Sequence, residues 1–378
     1  MPCASGHGMM QNGGAMRLYR MELYKLWHKK MFVICAVCAV LLVVVYFMAE
    51  VQSETAAVAG ERYFGYEAIK VNRRITEEYR GKLSDEKVAQ IVREYGLPSE
   101  IVYDYPGWQD GNYLNEFVTE YLTDGYNRDW NNYKAPTEVY AIADTELGRL
   151  QDVMGTGTVL AYSKGWEIFF DLLQLGMALA SVLVVISISV VFAQEGQAKM
   201  LPLVFTTQEG KGKDVWAKIA AAFTLTIMVY GTIVLLCLGL CAGIFGLDGG
   251  DCPMALLEHL YMDSRVGYMP VSSFAWITLG IDFLAMLLLC AMTMCVSAHY
   301  NSNFSAVTMA AVVWCVPLLF AFLGGMGYFF ATCMPIFLIM KHMLYESITR
   351  GTMAAVLYVI AAVFAVCMVE GYQVYRRM

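Results

Sequence analysis

Nineteen consecutive residues, Met31 to Ala49, carry no charge. An α-helix rises about 1.5 Å per residue and the hydrocarbon core of a bilayer is about 30 Å thick, so about 20 apolar residues span it. Five more runs of this kind follow: Ile168 to Ala193, with Asp171 near its start; Ile219 to Leu247; Phe274 to Ala298, which carries Asp282; a run from Phe304 that weakens at Gly324, Gly325 and Gly327; and Met353 to Val369. Composition agrees. Charged residues are 16% of the 378, where a soluble domain has about a quarter. The expected fold class is an all-α polytopic membrane protein, with six transmembrane helices, an amphipathic N-terminal helix and a mainly helical extracellular domain. Tyr328 to Ile348 is apolar up to Met340 but is interrupted by Pro335 and followed by Lys341, His342, Glu346 and Arg350. It reads as short re-entrant or interfacial helices, elements a membrane tolerates only where protein buries them.

Orientation follows from the basic residues that flank the runs. Arg17, Arg20, Lys25, Lys29 and Lys30 precede the first, against one acid, Glu22. Lys199, Lys211, Lys213 and Lys218 lie between the second and third, and Arg376 and Arg377 follow the sixth. With six spans, all three groups share one side. The third and fourth runs are joined by a stretch holding Asp248, Asp251, Glu258 and Asp263 against Arg265. Both termini are therefore expected in the cytoplasm, in a plasma membrane, with the long insert after the first span outside.

The organisation along the chain reads as follows. Residues 1–15 are Gly-rich and expected to be a disordered tail; they lack the basic–apolar–cleavage pattern of a signal peptide. Residues 16–30 are expected to form a cytoplasmic amphipathic helix. Met16, Tyr19, Leu23, Leu26 and Trp27 share one face of it, with Arg17, Arg20, Lys25, His28 and Lys29 on the rest; a basic flank without amphipathic function is the plainer reading. Transmembrane helix 1 covers 31–49 and serves as an uncleaved anchor. The extracellular domain covers 50–167, and 168–378 holds transmembrane helices 2–6 with a cytoplasmic coupling segment at 194–218.

Within the insert, Ser84-Asp85-Glu86 is a helix N-terminus, followed by Val88, Ile91, Val92 and Tyr95 at helical spacing and stopped by Gly96 and Pro98. A second helix is predicted over Tyr113 to Leu122, ended by Asp124-Gly125. The insert is dense in Tyr and Trp, among them Tyr103, Tyr105, Trp108, Tyr113, Tyr121, Tyr126, Trp130, Tyr133 and Tyr140. Such rings build the core of a domain poor in aliphatic residues, or a recognition surface, since each joins apolar area to a polar handle.

Several chemistries are not written in this chain. No G-x-x-x-x-G-K-[ST] loop occurs; Gly210-Lys211-Gly212-Lys213-Asp214 has Asp214 where the hydroxyl is required. His7, His28, His259, His299 and His342 have no zinc spacing. Glu77-Glu78 lies in the insert without a basic partner at a suitable distance. No enzyme activity, metal, cofactor or nucleic-acid partner is expected. Eight cysteines lie in apolar runs and none between Glu50 and Glu167, so no structural disulfide is expected and Cys35-x-x-Cys38 reads as helix packing. Gly239 and Gly243 form a small-x-x-x-small pair, a close-packing signature. Asp282 is the one carboxylate well inside a span, about 12 Å from its outer end at the helical rise. It is a contact for a substrate or coupling ion, or a hydrogen-bonded packing residue.

The segment after the second span carries the most information. It runs Gln194-Glu195-Gly196-Gln197-Ala198-Lys199-Met200-Leu201-Pro202-Leu203-Val204-Phe205-Thr206-Thr207, then a basic stretch to Trp216-Ala217-Lys218 at the start of the third span. It resembles the type-2 ABC exporter permeases, in which an acid and a glycine follow the second helix. Two apolar residues, a hydroxyl pair and a basic stretch ending in lysine come next. Glu195, Gly196, Leu201, Leu203, Thr206, Thr207, Lys211, Lys213 and Lys218 carry the resemblance; Pro202 departs from it. The resemblance implies a transport subunit that pairs with a second permease subunit, contacts membrane lipids and binds a separate ABC ATPase subunit on its cytoplasmic face. Glu195, Gly196, Met200, Leu201, Leu203 and Phe205 would form the ATPase-coupling contact, with Glu195 favoured near a helix start and paired to a partner arginine. Substrates in that family include lipids, polysaccharides, antibiotics and antimicrobial peptides. The rival reading is a ligand-sensing membrane protein whose extracellular domain signals through the helices; an ion-coupled transporter would need related halves, which are not visible.

Overall fold

The computed structural model describes residues 6–102, 107–126, 133–155, 157–199, 206, 212–257, 262, 264–322 and 325–377. The chain is predominantly helical and divides into two units. One comprises residues 1–43, 173–236 and 278–378; the other comprises 44–172 and 237–277.

Among the described residues, six helices are long and apolar enough to cross a membrane. They are α2 (Lys30–Ser53), α7 (Lys164–Ile188, continuing through a turn into α8, Ala193–Gln197), α9 (Lys213–Ile244), α10 (Val271–His299), α11 (Asn303–Ala321) and α15 (Met353–Arg377). They match the six apolar runs of the sequence and extend most of them by a turn or more. Two of the six are central: the apolar windows of α7 and α10 are 67% and 56% buried within the chain, against 11–28% for the other four. Between α11 and α15 stand three short helices, α12 (Gly325–Thr332), α13 (Pro335–Leu338) and α14 (Lys341–Thr349). Pro335 sits in the first turn of α13, where its missing N–H costs nothing. Ala331, Ile336 and Phe337 pack against Trp314 and Leu318 of α11, and Gln174 Oε1 of α7 accepts from Lys341 N at 3.2 Å. This stretch is broken as expected and makes no seventh span.

The amino-terminal helix departs from expectation. α1 runs from Gly6 to Trp27 and so includes residues 6–15, where a disordered tail is expected. Once the 16–27 segment has formed the first turns, each added residue gains a hydrogen bond without a new nucleation cost, which offsets the poor propensity of the glycines. α1 stops at Trp27 rather than residue 30. Its buried positions are Glu22 and Leu26, whereas Met16 and Trp27 of the predicted apolar face are exposed.

Two packing expectations fail within the chain. On α9, Val229, Ile233, Cys237, Cys241 and Phe245 form the buried stripe, four residues apart. Gly239 and Gly243 stand two residues away from it, about 200° round the helix. A Cβ added at either would meet nothing within 4 Å, so the small-residue pair seats no helix among the described residues. Cys38 is likewise exposed. All ten cysteines among the described residues are free.

Among the described residues, the second unit is built on four short helices and three two-stranded antiparallel pairs. The helices are α3 (Gly65–Glu78), α4 (Asp85–Tyr95), α5 (Tyr113–Leu122) and α6 (Glu146–Met154). The strands are β1 (Thr55–Val58) with β2 (Glu61–Phe64), β3 (Gly81–Lys82) with β6 (Val159–Leu160), and β4 (Ile101–Val102) with β5 (Gly107–Trp108). α4 starts as its sequence predicts, with Ser84 Oγ accepting from Lys87 N at 3.3 Å. α5 has the predicted bounds and a reciprocal cap: Asn112 Oδ1 accepts from Leu114 N and Asn115 N, and Asn115 Oδ1 accepts from Asn112 N at 2.7 Å. Caps of this kind are worth about 1 kcal/mol each. The core joins Ile75, Val88, Ile91, Leu114, Val118 and Leu147.

This unit is larger than the 50–167 insert, because the α9–α10 connection belongs to it. Ala255 and Met262 enter the same core, Tyr121 Oη donates to Ala255 O at 3.2 Å, and Arg73 pairs with Asp248 at 2.9 Å. The aromatic residues divide between the two readings. Trp108 and Tyr121 are buried, and Tyr113 donates its hydroxyl to Ala161 O at 3.0 Å, whereas Tyr126 and Tyr140 are exposed. Tyr103, Tyr105 and Trp130 lie outside the described residues.

Candidate functional site

Lys218 lies in the second turn of α9 and is 1% exposed. A bare ammonium is not stable in such a place; it must be paired and hydrogen-bonded. Three carboxylates supply this. Lys218 Nζ stands 2.5 Å from Asp214 Oδ2, 2.8 Å from Glu195 Oε1 and 3.5 Å from Glu22 Oε1. Asp214 comes from the preceding turn of the same helix, the i, i+4 spacing that brings side chains together. Glu195 comes from α8 just past the second span, and Glu22 from the buried face of α1. Glu22 Oε1 also accepts from Lys25 Nζ at 2.6 Å. Tyr375, in the last turns of α15 and fully buried, donates its hydroxyl to Glu195 Oε2. The ring of Tyr375 packs on Phe192 at 4.6 Å between centroids.

The surrounding backbone is fixed as tightly. Ser297 Oγ accepts from Phe192 N at 3.0 Å and Ala193 N at 3.3 Å, and Gln197 Oε1 accepts from Asn303 N at 3.0 Å. Gly196 is required by close approach: a Cβ there would lie 2.6 Å from Asn301 Oδ1 and 3.0 Å from Asn301 Cα. These contacts gather the start of α9, the ends of α7, α10 and α15, the start of α11 and the helix before α2 at one end of the first unit. The basic flanks Lys25, Lys199, Lys213, Arg376 and Arg377 belong to that same end.

The carboxylate oxygens of Glu22, Glu195 and Asp214 lie within 4.8 Å of one another, a spacing that suits a metal ion. The Lys218 ammonium is within 3.5 Å of all three and itself places a positive charge among them. The group is therefore a mechanical junction. Three separated stretches of chain meet on one cation and α15 joins them through Tyr375 on Glu195, so a displacement of α8 is resisted by α1, α9 and α15 together.

Of the sequence-predicted residues, Glu195 and Gly196 belong to this junction, but Glu195 is engaged by Lys218 and Tyr375 of its own chain, not held free for a partner arginine. Met200, Leu201, Leu203 and Phe205 lie outside the described residues. Asp282 does not join the group. It is 1% exposed and its Oδ1 has no hydrogen-bond partner, so it is not a fully hydrogen-bonded packing residue. α10 begins at Val271 rather than Phe274, which puts Asp282 about 16 Å along the helix. Glu22, Asp214 and Tyr375 were not singled out from the sequence. Glu22 had a signal: it is the one acid of a basic segment and shares a face with Tyr19 and Leu26 at helical spacing. Tyr375 had none. No protein-family model, curated protein or solved structure matches this chain.

Proposed function

We propose that the chain is the membrane-spanning permease subunit of an ABC exporter of the type-2 class, working with a separate ATPase subunit and a second permease subunit in a plasma membrane. Both termini and the Lys218 junction face the cytoplasm in this reading, and the insert after the first span faces outward. One observation carries it: of the acid and glycine that follow the second span, Glu195 is clamped to Lys218 at the start of the third and Gly196 packs closely on Asn301. Buried ion pairs of this kind move as a unit, since separating any member strands a charge. A force delivered to the 194–218 segment by an ATPase is thereby passed to α7, α9 and α15 together. The chain has no phosphate-binding loop, so the ATPase is a different subunit. The transported substrate is one that a membrane-embedded exporter handles, such as a lipid or an amphipathic peptide.

The test is co-purification from detergent with a co-expressed candidate ABC ATPase. Leu201→Asp with Leu203→Asp is expected to abolish the association while leaving membrane insertion unchanged. Retention of the ATPase at wild-type stoichiometry, with normal transport, overturns the coupling reading. Orientation is checked with a membrane-impermeant maleimide: Glu86→Cys labels in intact cells and Lys199→Cys only after lysis. Both positions are exposed. The sensor reading draws on a different observation, a cavity in the second unit, and would gain if the chain bound a ligand but held no ATPase.

A further inference from the structure

An apolar groove of about 200 Å³ runs between α2 and α9. Phe32, Ala39 and Ile233 are buried and make its floor, while Val33, Val37 and Met228 are exposed and make its rims. Ala36 and Ala39 leave the space that larger side chains would fill. Thr232 brings the one hydroxyl to the lining, and it donates to Met228 O of the preceding turn at 2.8 Å. The walls therefore suit a hydrocarbon.

The groove has a charged end. Trp27, the last residue of α1, lines it there and packs on Phe32 at 5.6 Å between ring centroids. Tyr19 Oη donates to Thr224 Oγ1 at 3.0 Å, one turn before Met228, and so ties α1 to α9 at that end. The link to α2 follows, with Lys29 half-buried and Lys30 exposed. Lys25 is paired with Glu22. Among the described residues neither Lys29 nor Lys30 has a carboxylate at ion-pair distance, and the first turn of α2 holds no acid. Burial lowers the Lys29 ammonium to about 8, opposed by Glu22 and assisted by Lys25. An anion beside it restores what burial takes away.

We propose that this groove binds an anionic phospholipid, with one acyl chain in the slot and the phosphate at Lys29 and Lys30. The dimensions select this occupant. The α2 lining runs from Phe32 to Val40, about 12 Å at the helical rise. That is most of one leaflet, which is half of a hydrocarbon core about 30 Å thick. About 200 Å³ over that length is a slot for a single chain, whereas a second helix is about 10 Å across with its side chains. The charge selects the headgroup. Basic pockets between spanning helices attract anionic headgroups, each lysine adding to the pull, and a zwitterionic lipid fills the slot but brings no net counter-charge. The proposal rests on α2 and α9 spanning a membrane, a premise that alkaline extraction of membranes tests separately, and not on an ATPase.

The experiment is native mass spectrometry of the full chain in detergent, with dioleoylphosphatidylglycerol and dioleoylphosphatidylcholine offered at equal concentration. The two share their acyl chains, so the headgroup alone is compared. Phosphatidylglycerol is expected to be retained at least about tenfold over phosphatidylcholine. Lys29→Gln with Lys30→Gln should abolish that preference and leave the phosphatidylcholine signal unchanged. Ala36→Phe, which fills the slot from a half-exposed position, should reduce the retention of both lipids several-fold. Arg376→Gln with Arg377→Gln, an exposed basic pair on α15, should leave the preference in place. The proposal is overturned if the two lipids are retained alike, if Ala36→Phe changes nothing, or if the arginine pair erases the preference as completely as the lysine pair. A dimer that lipid does not displace and Ala36→Phe dissolves would seat a second copy in the groove and overturns it as well.

Discussion

Carboxylates gather in two places in this molecule, and the two gatherings are opposite in design. Around Lys218, three acids from three elements close on an internal ammonium at 2.5–3.5 Å. In the cavity of the second unit, acids stand around a space of about 370 Å³. The first closes ion pairs within one chain and gains rigidity. The second stands around an open space, where burial raises the Glu116 carboxyl to about 8 and brings a dependence on pH. The lesson is that buried acids do not by themselves mark a binding site. What distinguishes the two is how closely the acids stand around a charge of the chain.

Removing the internal cation should break the comparison most severely. Lys218→Met leaves three carboxylates in close quarters, and a single broken partner of a buried pair costs about 3–5 kcal/mol. Thermal unfolding in detergent should show a large loss of stability. Adding Asp214→Asn to Lys218→Met should recover part of it; a double variant no better than the single would show that the lysine acts by packing. Next in size is Gly196→Ala, which forces the added methyl against the Asn301 backbone at a cost of roughly 1–3 kcal/mol and separates α8 from α11 without touching a charge. If its stability equals the wild type, the close approach is not maintained in solution.

The cavity gives a smaller effect with a pH signature. Because the folded-state pKa of Glu116 lies above the ordinary 4.5, its contribution is full in acid and is lost as pH rises toward about 8. Glu116→Gln should melt near the wild-type temperature at pH 5 and a few degrees higher at pH 8.5. A parallel shift at both pH values would remove the carboxyl from this role. Asp124 should show the smallest effect and the opposite sign. Backbone amides of Thr137 and Glu138, with the Thr137 hydroxyl and Lys134, hold it below the usual carboxylate range. Its contribution is present above the ordinary 3.8 and lost as pH falls through that value. Asp124→Asn should therefore flatten the acid limb of unfolding only; a change on the alkaline limb would contradict the assignment.

The spans were legible because a membrane leaves one backbone solution for a long apolar run. α4 and α5 were legible because Ser84, Gly96 and the Asn112–Asn115 box are local signals. α3 was not, since Phe64, the residue before it, offers no capping side chain and its apolar positions alternate with charges. The site was half legible. Glu195, Gly196 and Lys218 stand in one short segment, and Asp214 is a helical turn from Lys218. Tyr375 meets Glu195 across 180 positions, and no pattern within one sequence encodes so distant a pairing. The place of the α9–α10 connection was not legible for the same reason: Ala255 and Leu160 share a core only in three dimensions.

That shared core has a consequence for how the protein is made. Residues 50–167 leave the ribosome long before Ala255 and Met262, which complete their interior. At roughly 5–20 residues per second, the insert waits several seconds, with apolar surface uncovered, while two further spans are synthesised and placed. Its maturation is thus timed by the insertion of α7 and α9, and a defect in either span would appear first as an insert that a protease can cut.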